Sequence, residues 1–242
     1  MKRIAEAARL EMVIYLKTGK VILPALALLA YLLAFYSVGP VGFVSSGVLN
    51  ALALALIFVW AGISFSRSEE PVISQLVQMK LGRHYRQVAS RALLLLTAGA
   101  AATILSAAWP LLKNAASGGK FYIEAPGAAD IGEMLALFFS VSVMGGAYGS
   151  LFHPRIIRDT RAALLLALTG CLLGIFSGAI TDQVPVFAYA APLLPPIYGL
   201  ISRFDEAPAF EPAALKQTIT ECWLYAAAAF ALKTAMLRRI RY

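Results

Sequence analysis

Six long apolar runs constrain this chain more than any other feature of its sequence. An α-helix rises about 1.5 Å per residue and the hydrocarbon core of a bilayer is about 30 Å thick, so runs of this length cross it as helices. Backbone polar groups find no water at that depth, which favours helices further. The sequence therefore predicts an all-α integral membrane protein with spans at about residues 21–38, 47–65, 92–112, 134–152, 162–181 and 219–237.

The composition agrees with lipid as the main solvent. Of the 242 residues, 60% are hydrophobic and only 14% are charged, whereas a soluble domain carries about 25% charged residues. The formal net charge is +8, but the basic residues lie beside the apolar runs. This placement indicates membrane topology rather than nucleic-acid binding. We expect residues 1–242 to form a single transmembrane domain.

Lysine and arginine predict the orientation. Seventeen of the 21 basic residues fall in residues 1–20, 66–91, 153–161 and 233–242. The positive-inside rule makes these segments cytoplasmic and the intervening segments external. We therefore expect both termini in the cytoplasm and a multi-pass location in the inner or plasma membrane. The four remaining basic residues, predicted to lie outside, are Lys113, Lys120, Arg203 and Lys216.

Two of the cytoplasmic segments are patterned as amphipathic helices. Residues 2–17 place apolar side chains at helical spacing among charges, which predicts a helix in the membrane interface; a solvated tail is the alternative. The connector, residues 68–91, begins with Glu69 and Glu70, which suit a helix N-terminus, and Gly82 suits its end. The apolar face of the connector consists of Ile73, Leu76, Val77, Leu81, Tyr85 and Val88.

The segment before the last span, VPVFAYAAPLLPPIYGL at 184–200, is apolar but contains four prolines. Proline removes a backbone donor and breaks a helix interior. We therefore predict one or two short helices that are re-entrant from, or lie on, the outer leaflet.

Glycines recur every four residues in two of the spans. Small residues at this spacing allow two helix backbones to approach closely. The pattern predicts helix packing within the subunit or between subunits. The glycines concerned are Gly145, Gly149, Gly170, Gly174 and Gly178.

The sequence shows no catalytic constellation and no P-loop, and no metal site is predicted. The span centres carry no charge, although ion-coupled transporters usually need ionisable groups there. Glu221, near the outer end of the last span, is a candidate polar group on a substrate path. His153 with Arg155, Arg158 and Asp159 is the nearest thing to a catalytic cluster. The chain therefore resembles a pore or scaffold with no energy source of its own. If it transports a substrate, we expect a partner protein to supply the energy.

The whole pattern resembles the ABC-2 type permeases, the membrane subunits of ATP-driven exporters. The resemblance is carried by the amphipathic N-terminus, the six spans, the connector SRSEEPVISQLVQMKLGRHYRQVASRALL and the proline-rich outer segment. In that family the connector is a coupling helix that fits a cleft of a separate ATPase subunit. By this resemblance the ATPase contact consists of Glu69, Glu70, Gln75, Lys80, Arg83, His84, Tyr85 and Arg86.

The chain is similar in length to permeases of bacterial peptide export and lantibiotic self-protection. The resemblance implies a cytoplasmic ABC ATPase subunit as partner, with ATP and Mg²⁺ held there and no cofactor in this chain. It also implies a second permease subunit, the same or related, and a cargo that is a peptide or an amphipathic, lipid-like molecule. Two alternatives remain: a non-ABC transporter or substrate-binding component, and an integral membrane enzyme acting on lipid.

Overall fold

The computed structural model describes residues 2–68, 84–204, 207 and 209–239. In these ranges the chain is helical, with nine α-helices, two short 3-10 helices and no strand, which confirms the predicted all-α class. The α-helices are α1 Lys2–Lys17, α2 Ile22–Phe35, α3 Phe43–Ser68, α4 His84–Ala116, α5 Ala128–Ser150, α6 Thr160–Ile175, α7 Ser177–Gln183, α8 Ile197–Ser202 and α9 Pro212–Arg239.

Among the described residues, three helices are long and apolar enough to cross a membrane. They are α3, the Val88–Ala116 part of α4, and α5. The first two contain the predicted spans 47–65 and 92–112, and α5 covers most of 134–152. Pro110 lies inside α4 without ending it. The length and composition of these helices are those of a transmembrane protein.

Two further helix pairs are long and apolar enough only when each pair is joined across a bend. Helices α1 and α2 meet at 76°, and α6 and α7 meet at 65°. Predicted span 162–181 is therefore not one straight helix, because α6 ends at Ile175. Helix α9 is 28 residues long but is not among the candidates, since Glu221 and Lys233 lower the hydropathy of its apolar stretch.

Helix α5 lies at the centre of the molecule, and α3, α4 and α9 all pack on it. Its closest neighbour is α3. A Cβ atom added to Gly145 would clash with the carbonyl oxygen of Ala55, and one added to Gly149 would clash with that of Val59. Glycine at these positions is what lets the two backbones touch.

One end of the helix bundle is closed by aromatic side chains. The charge pattern predicts that this end faces outside, and it is called the outer end; the opposite end is called the inner end. The loop after α4 pairs with the loop after α2, since Val41 N donates to Phe121 O at 3.0 Å and Ile123 N donates to Val41 O at 3.1 Å. Phe121 and Tyr122 are thereby buried, although the sequence indicates only a polar loop over 113–133. The rings that meet here are those of Tyr36, Phe43, Phe121, Tyr122, Phe204 and Phe210.

The proline-rich segment forms three short helices, where one or two were predicted. Two 3-10 helices, Pro185–Tyr189 and Ala191–Leu193, precede α8. The segment doubles back along α6. The carbonyl oxygen of Pro195 lies only 2.7 Å from the position that a Cβ atom on Gly174 would take. Tyr225 of α9 donates from its hydroxyl to Leu193 O at 3.0 Å. The segment is thus held between α6 and α9.

Large apolar side chains remain exposed on α2, α6 and α9. Leu23 is 60% exposed, Leu165 65% and Leu224 66%. Surfaces of this kind mark contact with lipid or with another subunit. They are compatible with a membrane protein whose outer helix faces meet acyl chains.

Candidate functional site

Five of the predicted ATPase-contact residues lie outside the described residues. They are Glu69, Glu70, Gln75, Lys80 and Arg83. The backbone of the other three, His84, Tyr85 and Arg86, forms the first turn of α4, and their side chains also lie outside the described part. The basic run that leads into the third span is therefore helical from His84 onward. What the structure describes is the setting of the connector: the end of α3, the start of α4 and the helices that hold them.

The start of α4 is fastened to α1 by a buried polar cluster. Ser90 Oγ donates to Glu11 Oε2 at 2.9 Å, and Arg91 Nε lies 4.0 Å from Glu11 Oε1. All three residues are buried. A buried carboxylate that lost these partners would keep its desolvation cost. The cluster therefore fixes the position of the amphipathic helix relative to the connector.

Aromatic packing adds α3 to this contact. The rings of Tyr15 and Phe65 meet edge to face with centroids 5.6 Å apart. Both pack against Leu94 of α4 in a small buried cluster. One helical turn of α1 thus touches both helices that flank the connector.

The last turn of α3 is held by two further helices. Lys233 Nζ of α9 donates to Ser66 Oγ at 3.4 Å, and Ser66 Oγ in turn donates to Ser150 O of α5 at 3.5 Å. Ser66 and Ser150 are fully buried, and Lys233 is buried as well. The charge that the sequence places at the inner end of the last span is therefore enclosed by protein.

Arg67 clamps the loop between α5 and α6. Its Nη2 donates to Ile157 O at 2.8 Å and to Asp159 O at 3.1 Å, while its Nη1 donates to Arg158 O at 3.1 Å and Thr160 Oγ1 at 2.9 Å. One guanidinium thereby satisfies four acceptors. The end of α3 and the start of α6 are fixed to each other through it.

The same loop contains the residues named above as the nearest thing to a catalytic cluster. They are His153, Arg155, Arg158 and Asp159. His153 is buried, and its Nδ1 accepts a hydrogen bond from Arg155 N at 3.1 Å. Asp159 caps α6 by accepting from Arg161 N at 3.0 Å. Across the described ranges, no group of three or more His, Cys, Asp or Glu side chains is placed to hold a metal ion. These contacts give the loop's polar residues a structural role.

At the outer end, Glu221 is paired with Arg203. Arg203 Nη2 donates to Glu221 Oε1 at 2.6 Å and Arg203 Nη1 donates to Oε2 at 2.8 Å, a two-pronged pair. Gln217 Nε2 donates to the same carboxylate at 3.0 Å, and Thr218 Oγ1 accepts from Arg203 Nη1 at 3.1 Å. The candidate substrate-path residue therefore stands within a polar network that joins the end of α8 to α9.

The glycines of α6 and α7 face other parts of the same chain. A Cβ on Gly170 would clash with the Tyr148 hydroxyl, and one on Gly178 would clash with the Tyr198 ring. Together with Gly174 beside Pro195, they accept α5 and the proline-rich segment. The contacts of this stripe are thus within the subunit.

Sequence reasoning missed the Glu11 cluster and the Arg67 clamp. Glu11 lies three residues after Ala8 and four before Tyr15, both buried, so helical spacing alone places it on the packed face of α1. The charge pattern places both Arg203 and Glu221 at the predicted outer boundary of the membrane. Their opposite charges at the same predicted depth could have indicated an ion pair. Arg67 carries no such signal, because its partners are backbone carbonyls.

Comparison with known proteins gives no match of any kind. No family model matches the chain, no curated protein matches it, and no solved structure matches it. A function for the chain therefore has to be argued from the sequence pattern and the contacts described above.

Proposed function

We propose that this chain is the membrane-spanning permease subunit of an ATP-driven exporter of the ABC-2 type. A separate cytoplasmic ATPase subunit docks on residues 68–91 and supplies the energy, with ATP and Mg²⁺ bound in that partner. The observation that carries the proposal is the buried cluster of Glu11, Ser90 and Arg91. It ties the amphipathic helix α1 to the first turns of α4, at the end of the connector.

Both ends of the connector are anchored to the bundle, which suits a lever. On the α4 side, a displacement is passed to α1 through Glu11. On the α3 side, Ser66 and Arg67 pass it to α9, α5 and the start of α6. Such a lever does work only if ATP binds one conformational state of the complex more tightly than the other.

The proposed topology has six spans with both termini in the cytoplasm. Helices α2, α3, α4 and α5 supply four of them, and the bent pair of α6 and α7 supplies the fifth. The 76° bend between α1 and α2 lets α1 lie in the interface while α2 enters the bilayer. Helix α9 supplies the last span although its apolar stretch, predicted at 219–237, carries two charges, Glu221 and Lys233. Each of those charges meets a partner inside the protein, Lys233 at Ser66 and Glu221 at Arg203, which is how charged side chains are tolerated at this depth.

The cargo we propose is a peptide or an amphipathic, lipid-like molecule, moved outward between two permease subunits. The exposed leucines of α6 and α9 supply apolar surface for such a path or for the second subunit. Glu221 and Arg203 lie near its outer mouth. A network of this kind can exchange partners with a polar part of the cargo at release.

The test is to isolate the tagged chain from its native membranes in a mild detergent and identify bound proteins by mass spectrometry. We expect a stoichiometric soluble subunit that contains a P-loop. Replacing Glu69 and Glu70 with alanine should remove that subunit and abolish transport, with normal membrane insertion. The matched control replaces Glu124 and Glu211, two exposed acidic residues of the outer segments, and should retain both the subunit and transport.

Two results would overturn the proposal. One is a chain that isolates alone, or only with its own copies, and still transports after reconstitution. The other is full retention of the ATPase subunit by the Glu69→Ala, Glu70→Ala variant. In the second case the partner exists but docks elsewhere.

A further inference from the structure

A cleft of about 300 Å³ opens at the inner end of the molecule. It lies between the turn that joins α1 to α2, the last two turns of α3 and the beginning of α6. Within the described part of the chain, no acidic side chain lines it. The side chains that matter for its chemistry are Lys20, Trp60, Ser64, Arg67, Thr160 and Leu164.

The cleft carries excess positive charge. The four Nη donors of the Arg67 guanidinium are taken by three carbonyls and the Thr160 hydroxyl, which are neutral acceptors and leave its charge in place. Its Nε is buried without a hydrogen-bond partner among the described residues. Lys20 Nζ donates to the Arg67 carbonyl oxygen at 2.6 Å, also neutral. Asp159 is near enough to act on Arg67, but its carboxylate already caps α6 through Arg161 N. Among the described residues, these two cations therefore share at most one carboxylate.

Donors are left over for a ligand. An ammonium group has three N–H donors, and Lys20 uses one of them on Arg67. The Thr160 hydroxyl accepts from Arg67, which leaves its own hydrogen to donate. Ser64 Oγ donates to Lys20 O at 2.9 Å and so fixes the Lys20 backbone against α3. An anion in the cleft would meet an ammonium and a hydroxyl in fixed positions.

The other wall of the cleft is apolar and lies deeper. Trp60 precedes Arg67 by seven residues on α3, which places it about 10 Å further along the helix. Leu164 lies one turn into α6 and also lines the cleft. Tryptophan is enriched at the level of lipid headgroups and glycerol. The cleft thus pairs a cationic rim with an apolar wall over the depth of one lipid headgroup.

We propose that this cleft binds a phospholipid with an anionic headgroup from the cytoplasmic leaflet. The phosphate and headgroup lie at Lys20 and Thr160, and the glycerol and first methylenes lie along Trp60 and Leu164. Basic pockets between helices on this side of a membrane bind such headgroups. The bound lipid joins the α1–α2 turn to α3 and α6. The proposal rests on membrane placement and does not need the ATPase.

The test is native mass spectrometry of the purified full-length chain in detergent, with equal amounts of phosphatidylglycerol and phosphatidylcholine added. We expect retention of one phosphatidylglycerol per chain in clear preference to phosphatidylcholine. Lys20→Gln should lower phosphatidylglycerol retention about fivefold, and Lys20→Arg should restore it. Lys17→Gln removes an exposed cation three residues away and should leave retention unchanged.

Three results would overturn the proposal: equal retention of the two lipids by the wild type, equal losses in Lys17→Gln and Lys20→Gln, or displacement of the lipid by millimolar inorganic phosphate. The last would show a site for free anions. Leu164→Glu provides a second variant should Lys20→Gln fail to fold. Its carboxylate faces the same cleft from the apolar wall, and it should also lower phosphatidylglycerol retention; unchanged retention would contradict the site.

Discussion

The inner and outer ends of the helix bundle are held together by different kinds of contact. At the inner end, buried polar side chains join residues far apart in sequence, 79 residues for Ser90 and Glu11 and 167 for Lys233 and Ser66. At the outer end, aromatic rings pack on one another beside the backbone hydrogen bonds between the two loops. An ion pair there joins residues only 18 apart, with side chains 23% and 33% exposed. Hydrogen bonds are directional, whereas ring packing tolerates small shifts.

This difference assigns the two ends different mechanical properties. A buried donor or acceptor that leaves its partner costs about 1–3 kcal/mol, so the inner contacts favour movement as a unit. The geometry of a favourable ring pair contributes less, about 0.5–1.5 kcal/mol beyond the area that the rings bury. Under the proposed function, a displacement at the connector is transmitted through the inner end, and the outer end is where the helices separate.

The largest effect is expected where α5 touches α3, and the two ends of α5 supply the comparison. Gly149→Ala at the inner end places a methyl group against the Val59 backbone. Overpacking of this kind costs about 1–3 kcal/mol or more, and here backbone rather than a flexible side chain must move. We expect a large fall in the thermal unfolding midpoint in detergent, measured by size-exclusion chromatography after heating.

Gly132→Ala, near the outer end of the same helix, is the control. Nothing lies within 4 Å of a Cβ at that position, and alanine favours helix over glycine by about 1 kcal/mol. The midpoint should stay the same or rise. Equal destabilisation by the two substitutions would show that α5 is not packed more tightly at its inner end.

A smaller effect is expected from the polar cluster between α1 and α4. Glu11→Ala leaves Ser90 without its 2.9 Å acceptor and Arg91 without its nearby carboxylate. We expect a loss of about 2 kcal/mol in the free energy of unfolding, together with faster proteolysis of α1. Glu6→Ala, an exposed acid on the same helix, should change neither. Insensitivity of α1 to Glu11→Ala would remove the observation that carries the proposed function.

The sequence predicts the parts of this molecule that depend on local pattern. Apolar runs place α3, α4 and α5, and helical spacing places α1. The break at Phe176 was missed because Gly174 and Gly178 were interpreted only as a packing stripe. Glycine also weakens a helix, and Ser–Gly pairs are common sites of sharp kinks. Here Ser177 Oγ donates to Gly174 O at 3.0 Å beside the bend.

Pairings across the fold could not be predicted in the same way. The network of Arg203 and Glu221 depends on where the proline-rich segment returns to α9, and that return is set by Pro195 packing on Gly174. Arg67 binds carbonyl oxygens, which every residue has. The sequence spacing of these residues therefore predicts neither the partner of Arg203 nor the acceptors of Arg67.

The smallest effect is expected at the outer ion pair, which tests whether that end is held by charge. Glu221→Gln keeps the shape of the side chain and removes one charge from a two-pronged pair. Because both side chains are partly exposed, the expected loss is only about 0.5–1 kcal/mol. Glu211→Gln, which changes an exposed acid just before α9, should leave the free energy of unfolding unchanged.

Salt distinguishes a contribution of charge from one of packing. At high ionic strength the wild type should lose most of its stability advantage over Glu221→Gln, since exposed pairs are screened. An advantage that persists in high salt would mean that hydrogen-bond geometry holds this end too, and that the outer end resembles the inner one more than its aromatic packing indicates.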